Sequence, residues 1–520
     1  MKEVALGTLF QFIRNGLSVR QDKSGRGLPI ARIETIADFE IDESRVGYAE
    51  LDASRCGGWL LQPGDLLFSH INSVAHLGKC AVYRGRPERL VHGMNLLCLR
   101  PDATRLAPEF AKHLLRSRTF RRRALPYQRF FVANVIAASV DYDTLLALAA
   151  RQDVRAIEAN LEQPWIEPPA LAERTLTPTY LTPAGVEWGV QNVNAPQVWE
   201  RGAFGQGIVI ADADTGLQWD HPALKARYRG WNGSSADHNY SWHDAIHEGT
   251  GNPCGVSTLA PCDDQGHGTH TAGTSVGDDG LGNRIGVAPG ARLIACRNMD
   301  RGNGTPARYT ECFQFFIAPT DLQDKNPNPD LRPHVINNSW GCTSGEGCAP
   351  TTLQLIVENT QAAGIFVEAS AGNSGPGCSS VNDGPALFAA ALSTGAHDSA
   401  NKLAGFSSRG PVTVDGSLRL KPELTAPGVR VRSSLRGGGY GQLSGTSMAG
   451  PHVVGVVALL WSARPELARD IEATKALLRA SARPDVVLRG VETCGGLPSD
   501  FVPNHSFGYG RVDALRAVTW

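Results

Sequence analysis

The chain has 520 residues, of which 42% are hydrophobic and 19% charged, with a formal net charge of −1. That length exceeds what one hydrophobic core usually organises, so two or more domains are expected. The near-neutral balance gives the chain as a whole no electrostatic reason to bind nucleic acid or a membrane, and no run of about 18 apolar residues offers a membrane span. The opening MKEVALGTLFQFIRNGLSVRQ is broken by polar residues and lacks a small-residue cleavage site, so it does not read as a secretory leader.

Residues 1–123 alternate short apolar runs with turns, as in GLPIARIETI, GWLLQPGDLLFSHI and KCAVYRG, and close on PEFAKHLLRSRTFRRR. This pattern predicts a small α+β domain ending in a basic helix. Arg116, Arg118, Arg121, Arg122 and Arg123 offer charge to phosphates, or to solvent as an ordinary helix end. In residues 124–165, FFVANVIAASV and RAIEAN predict strands. Between them DYDTLLALAARQDV predicts an amphipathic helix with Leu145, Leu146, Leu148 and Ala149 on one face. Residues 166–184 are Pro-rich and follow neither period, which predicts a linker open to proteolysis.

Residues 185–520 change character. GIVIADAD, ARLIACR, HVINNSW and GIFVEAS predict strands; THTAGTSVG, TTLQLIVENTQAAG and SMAGPHVVGVVALLWSA predict helices. Such alternation argues for an α/β fold, a parallel sheet with helices on both faces, and chemistry gathers beyond the carboxyl ends of its strands. Asp214 ends the first of these strands and enters the turn Thr215-Gly216, and Asp212 shares its face. His267 lies in the Gly-rich GHGTHTAGT. Ser447 opens an apolar, buried helix, with Pro451 placed in its first turn, where a missing N–H costs little. A serine hydroxyl needs a base to take its proton, and that base needs a group to fix its tautomer. Asp, His and Ser in this order supply all three roles.

The stretches DADTG, HGTHTAGT and GTSMAGPH resemble the signatures of the subtilisin-like (S8) serine peptidases, over roughly residues 185–520. The resemblance implies a serine endopeptidase with Asp214, His267 and Ser447 as its triad, no cofactor needed for catalysis, and protein or peptide as substrate. It also places Asn373, in ASAGNSG, as the oxyanion-hole amide, and Ser339, Trp340 and Gly341 as the cleft-lining strand. Asp383, in VNDGP, falls near the floor of the substrate pocket, where a carboxylate would favour Arg or Lys. Family members often hold structural calcium in acidic loops. Asp263, Asp264, Asp278 and Asp279 are acidic by composition only, and no metal ligands are assigned.

Residues 124–165 resemble the later part of the inhibitor-type propeptide of that family, with its earlier strand and helix missing. This implies a zymogen cut between Asn160 and Thr182, with self-maturation weakened. Residues 5–122, through LGTLFQFIRNGLSVRQ, PGDLLFS and HGMNLLCLRP, resemble the target-recognition domain of a type I restriction–modification specificity subunit. That implies DNA as a second partner class. The alternatives to a working peptidase are therefore a DNA-binding fusion and an inactive rearranged fusion. The 11 cysteines divide into Cys56, Cys80 and Cys98 early and eight later. Short loops closed by Cys254/Cys262 and Cys342/Cys348 suit disulfides, so a secreted, oxidising location is expected for the peptidase half.

Overall fold

The computed structural model describes residues 9–19, 21–36, 40–52, 56–69, 79–116, 127–140, 142–151, 154–164, 185–248 and 251–520. The chain divides into two compact units, residues 1–129 with 134–157, and residues 130–133 with 158–520.

In the smaller unit an antiparallel sheet runs in the order Phe10–Asn15, Leu96–Pro101, Leu66–Ser69, Cys80–Val82. Side chains alternate across a strand, so this sheet feeds two cores. Leu67, Ala81, Leu96 and Cys98 fill one; Leu66, Cys80, Val82 and Leu99 fill the other, with Ala111 and Leu115 of the helix Pro108–Arg116. A second sheet places Leu28–Ala31 between Gly47–Ala49 and Val91–His92. Arg100 closes a two-pronged ion pair on the buried Asp65, both bonds at 2.6 Å. The predicted α+β class is what forms. Arg116 ends the helix, and Arg118, Arg121, Arg122 and Arg123 lie outside the described residues.

Three expectations for residues 124–165 need correction. FFVANVIAASV is a hairpin, not one strand: Tyr127–Phe130 and Val135–Ala138 pair across a turn, with Asn134 in the left-handed region. The helix forms at Tyr142–Ala149, but Leu146 and Ala149 are exposed, so its apolar face is not buried. RAIEAN is exposed and joins no ladder; the pairing comes later, at Gln163–Pro164.

The larger unit is built on seven strands: β1 Val209–Asp214, β2 Trp242–Asp244, β3 Arg292–Arg297, β4 Val335–Asn338, β5 Phe366–Ser370, β6 Ala391–His397 and β7 Leu424–Pro427. They lie in the order β2-β3-β1-β4-β5-β6-β7, every pair parallel. One face packs on α1 (His267–Val276) and α4 (Thr446–Ala463), the other on α2 (Pro306–Ile317) and α3 (Gln354–Ala362). Helix α4 is long and apolar enough to cross a membrane, yet it is buried as the core of this unit. The strands carry near-continuous apolar runs because both faces are covered. Four disulfides, Cys254–Cys262, Cys296–Cys312, Cys342–Cys348 and Cys378–Cys494, all lie in this unit; Cys56, Cys80 and Cys98 are buried thiols in the other.

Glu368 on β5 is wholly buried against Gly450 of α4, where a Cβ would stand 2.5 Å from both carboxyl oxygens. Burial pushes its pKa well above the usual carboxylate range. A carboxyl whose folded pKa is raised favours the native state below its unfolded pKa and loses that advantage as pH rises toward the folded one. Glu368→Gln is therefore expected to match the parent in thermal stability near pH 4 and to exceed it at pH 8. Calorimetry at both values checks this, and a pH-independent difference would reject it.

Candidate active site

The site forms where β1, β4 and β5 end and α1 and α4 begin. The carboxylate of Asp214, wholly buried at the end of β1, accepts from Nδ1 of His267, with its two oxygens at 2.8 and 2.9 Å. His267 is the first residue of α1. The approach depends on Gly268, where a Cβ would stand 2.2 Å from the Gly216 carbonyl oxygen and 3.0 Å from the Asp214 Cβ. The loop before α1 is fixed by Asp263. Its Oδ1 accepts from Gly266 N (2.7 Å) and Thr215 Oγ1 (2.9 Å), and its Oδ2 from Thr269 N (2.9 Å) and Oγ1 (2.6 Å). A helix start leaves orphan N–H groups that a carboxylate can satisfy. Asp263 thus positions the histidine.

Ser447 is the second residue of α4 and is buried. Its hydroxyl donates to the Ser339 carbonyl at 3.2 Å, and the Ser339 hydroxyl donates to the Ser447 carbonyl at 3.0 Å. Helix α4 starts at Thr446, so Pro451 lies beyond the first turn, not within it. Proline cannot supply the N–H that the carbonyl four residues earlier expects. That carbonyl belongs to Ser447, and Ser339 caps it instead. Ser339 is itself held by Asn337 Nδ2 at 3.0 Å, and the same amide donates to Asp212 at 2.8 Å. Thr271 Oγ1 bonds the other Asp212 oxygen at 2.9 Å. Burial, and next the charge of Asp214, push the Asp212 pKa well above the usual carboxylate range, while the hydrogen bonds from Asn337 and Thr271 pull it the other way.

Asn373 stands opposite. Its side-chain oxygen accepts from Thr446 N (2.9 Å) and Thr446 Oγ1 (3.0 Å), which turns Nδ2 outward as a donor. A Cβ on Gly445 would stand 3.6 Å from that Nδ2 and 3.7 Å from Ser447 N. Two N–H donors therefore border one space that a side chain at 445 would fill, at the start of a helix whose dipole favours negative charge.

Ser339–Gly341 continue past the last ladder residue of β4. Trp340 is turned inward: its Nε1 donates to Ala213 O at 2.9 Å and its ring stacks on Tyr309 at 3.9 Å. Residues 160–164 lie on a neighbouring edge of this unit. Gln163–Pro164 pair antiparallel with Asn303–Gly304, Leu161 N donates to Glu346 O at 3.0 Å, and Asn160 Oδ1 accepts from Ala307 N at 2.9 Å. Among the acidic-loop residues, Asp279 is engaged by Leu281 N, Asn283 and Tyr440, and Asp264 by Arg297 and Arg301 N. Asp278 accepts from Gly280 N.

Sequence reading found the conspicuous residues and missed their supports. Asp263 appeared only as an acidic loop residue, and Asn337 and Thr271 were not singled out. The signal for Asp263 was its place four residues before the start of α1 at His267; for Asn337 and Thr271 no local signal exists.

A buried carboxylate–imidazole pair, a serine at a helix start and an asparagine amide lie at the strand ends of a parallel α/β sheet, with the serine hydroxyl resting on Ser339 O. Residues 205–510 match the family model described as the subtilase family, peptidase S8. Bacillopeptidase F of Bacillus subtilis is 40% identical over 343 residues, covering 64% of this chain and 22% of that protein. A thermostable alkaline protease of Halalkalibacterium halodurans is 34% identical over 332 residues, covering 64% of this chain and 73% of that protein. A type I restriction enzyme MjaX specificity subunit of Methanocaldococcus jannaschii is 48% identical over 112 residues, covering 21% of this chain and 26% of that protein, in the N-terminal region. The chain belongs to the subtilase family, and its larger unit is a subtilisin-like serine endopeptidase domain.

Ser339→Ala is expected to leave the Ser447 carbonyl unpaired in the core, at a cost of about 1–3 kcal/mol. Denaturant unfolding measures it, and a change within about 0.5 kcal/mol would remove Ser339 from this role.

Proposed function

We propose that this chain is a peptide-bond hydrolase that works through Asp214, His267 and Ser447 by way of an acyl-enzyme. The observation that carries the proposal is the buried Asp214–His267 hydrogen bond, which fixes the tautomer with Nδ1–H toward the carboxylate and leaves Nε2 as the base. The Ser447 hydroxyl exchanges its weak bond to Ser339 O for one to Nε2, transfers its proton there and attacks the substrate carbonyl carbon. The resulting oxyanion receives hydrogen bonds from Asn373 Nδ2 and Ser447 N–H. Collapse breaks the C–N bond, and the proton on Nε2 goes to the leaving amine. Water then repeats the sequence on the acyl-enzyme. This chemistry needs no cofactor.

The edge at Asn303–Gly304, already paired with Gln163–Pro164, supports strand addition as the way an extended chain enters. It also supports a zymogen reading, in which residues leading into the linker 166–184 occupy the approach to the site until that linker is cut. The four disulfides favour maturation in an oxidising, extracytoplasmic compartment. The match of the N-terminal unit to a specificity subunit supports a second partner class, duplex DNA. Binding by the full chain would then weaken linearly in log–log form as salt rises. Salt-insensitive or absent binding at low salt retires that reading.

Fluorophosphonate is expected to label the purified chain at Ser447, and Ser447→Ala to lose both the label and any processed product of intact mass consistent with a cut between 160 and 182. Asn373→Ala is expected to lower kcat by about 10²–10³, the effect of removing the corresponding donor in subtilisin. Undiminished labelling of Ser447→Ala would overturn the assignment.

A further inference from the structure

We propose that the Glu368 carboxyl, by an O–H···O bond to Asn337 Oδ1, is the positioning group that holds the Asn337 amide in the orientation the Ser447 nucleophile needs, an inference that rests on the peptidase reading above. Asp212, Asn337 and Glu368 are register partners across β1, β4 and β5. Partners in neighbouring parallel strands point to the same face, so the three side chains form one row. Glu368 places that row beneath the start of α4, because a Cβ on Gly450 would meet both its oxygens at 2.5 Å.

Both protons of the Asn337 amide nitrogen are used. One goes to Asp212 at 2.8 Å and one to the Ser339 hydroxyl at 3.0 Å. An amide is planar, so with Nδ2 turned to β1 its oxygen opens toward β5, where Glu368 stands. That oxygen is buried and has no hydrogen-bond partner among the described residues, and neither has either carboxyl oxygen of Glu368, itself wholly buried. Thr394 on β6 and the Asn338 backbone lie near the carboxyl without closing a bond of normal geometry. Two acceptors left side by side in the core are costly, and a proton kept on the carboxyl turns them into a bonded pair. The upward push of burial on the Glu368 pKa agrees with that state.

The orientation matters because Asn337 decides where the Ser339 proton goes. In the observed arrangement Ser339 Oγ accepts from Nδ2 and donates to the Ser447 carbonyl at 3.0 Å, the carbonyl that Pro451 leaves without a helix partner. Turned over, the amide would set its oxygen against the Ser339 hydroxyl, which would then donate to it and release Ser447. Ionised Glu368 favours that turn, since it repels Oδ1 and attracts Nδ2. The other charged groups bearing on Glu368 are Asp212 at the far end of the row and, just before β7, Glu423 and Lys421, which pair with each other at 2.9 Å. Helix α4 presents Gly450, which carries no charge.

Peptide-hydrolysis kinetics compare Glu368→Gln, whose amide N–H can still donate to Asn337 Oδ1, with Glu368→Met, which has similar length and no donor. Glu368→Met is expected to fall about tenfold or more below Glu368→Gln in kcat, with KM alike, because the loss acts on the nucleophile and not on binding. The parent's kcat is expected to decline on the alkaline side, as Glu368 loses its proton, at a pH where Glu368→Gln holds its rate. Equal kcat in the two variants, or superimposable alkaline limbs for the parent and Glu368→Gln, overturns the proposal. If Glu368→Met does not fold, the alkaline limbs decide alone. A parent chain that fluorophosphonate fails to label at Ser447 removes the peptidase reading and this inference with it, whereas normal labelling with no difference among the variants removes this inference alone.

Discussion

The larger unit depends on placing two neighbouring carboxyl groups on one strand of its core. Asp212 and Asp214 lie two positions apart on the same strand face, both shut off from water. Two charges there would repel strongly at low dielectric. The fold resolves this by treating the two acids differently. Asp212 accepts from Asn337 and Thr271 while burial and the Asp214 charge push its pKa up, and Asp214 keeps an imidazole. Asp212 is also a truss: through Asn337 it connects to Ser339, and through Ser339 to Ser447. The base and the nucleophile are therefore braced from one point on the central strand.

Pro451 gains a meaning in this setting that its position in the sequence did not suggest. Inside a helix it removes one hydrogen bond and leaves one carbonyl without a partner. That carbonyl is on Ser447. Its replacement partner, the Ser339 hydroxyl, belongs to the segment along which a peptide is proposed to run. A break in the helix ladder thus becomes a tie between nucleophile and cleft wall, formed by two reciprocal serine contacts.

Much of this was legible from the sequence because glycines and short polar runs mark close approaches of backbone. DADTG, GHGTHTAGT and GTSMAGPH each carry their reason for existing within a few residues. The parallel sheet was legible for a similar reason, since apolar runs at strand length alternate with helical ones, but only four of its seven strands were read, and Trp242–Asp244, Ala391–His397 and Leu424–Pro427 were not. What escaped was long-range. Asp263 reads as a loop acid until the helix it serves is seen, and Asn337 as one of two asparagines in a strand. The pairings Cys296–Cys312 and Cys378–Cys494 close loops of 16 and 116 residues, which no local rule selects. RAIEAN has β-compatible composition but finds no neighbouring edge, while Gln163–Pro164, with poor strand propensity, finds one at Asn303–Gly304. Tertiary context outweighed propensity in both directions.

That short pairing bears on how the two units relate in function. A specificity-subunit-like domain keeps its three cysteines as buried thiols, whereas the peptidase unit locks eight into disulfides. Within the larger unit, residues 160–163 are held by a few contacts. Asn160 engages the N-terminus of α2, Glu162 faces Arg308 at 3.4 Å, and Gln163 extends the edge at Gly304. These contacts are few and small, and each is available to any extended chain with a carbonyl and an acidic or amide side chain. On the zymogen reading proposed above, a segment held so lightly would be displaced by substrate once its covalent connection is cut, because it would then lose the high effective concentration that attachment confers.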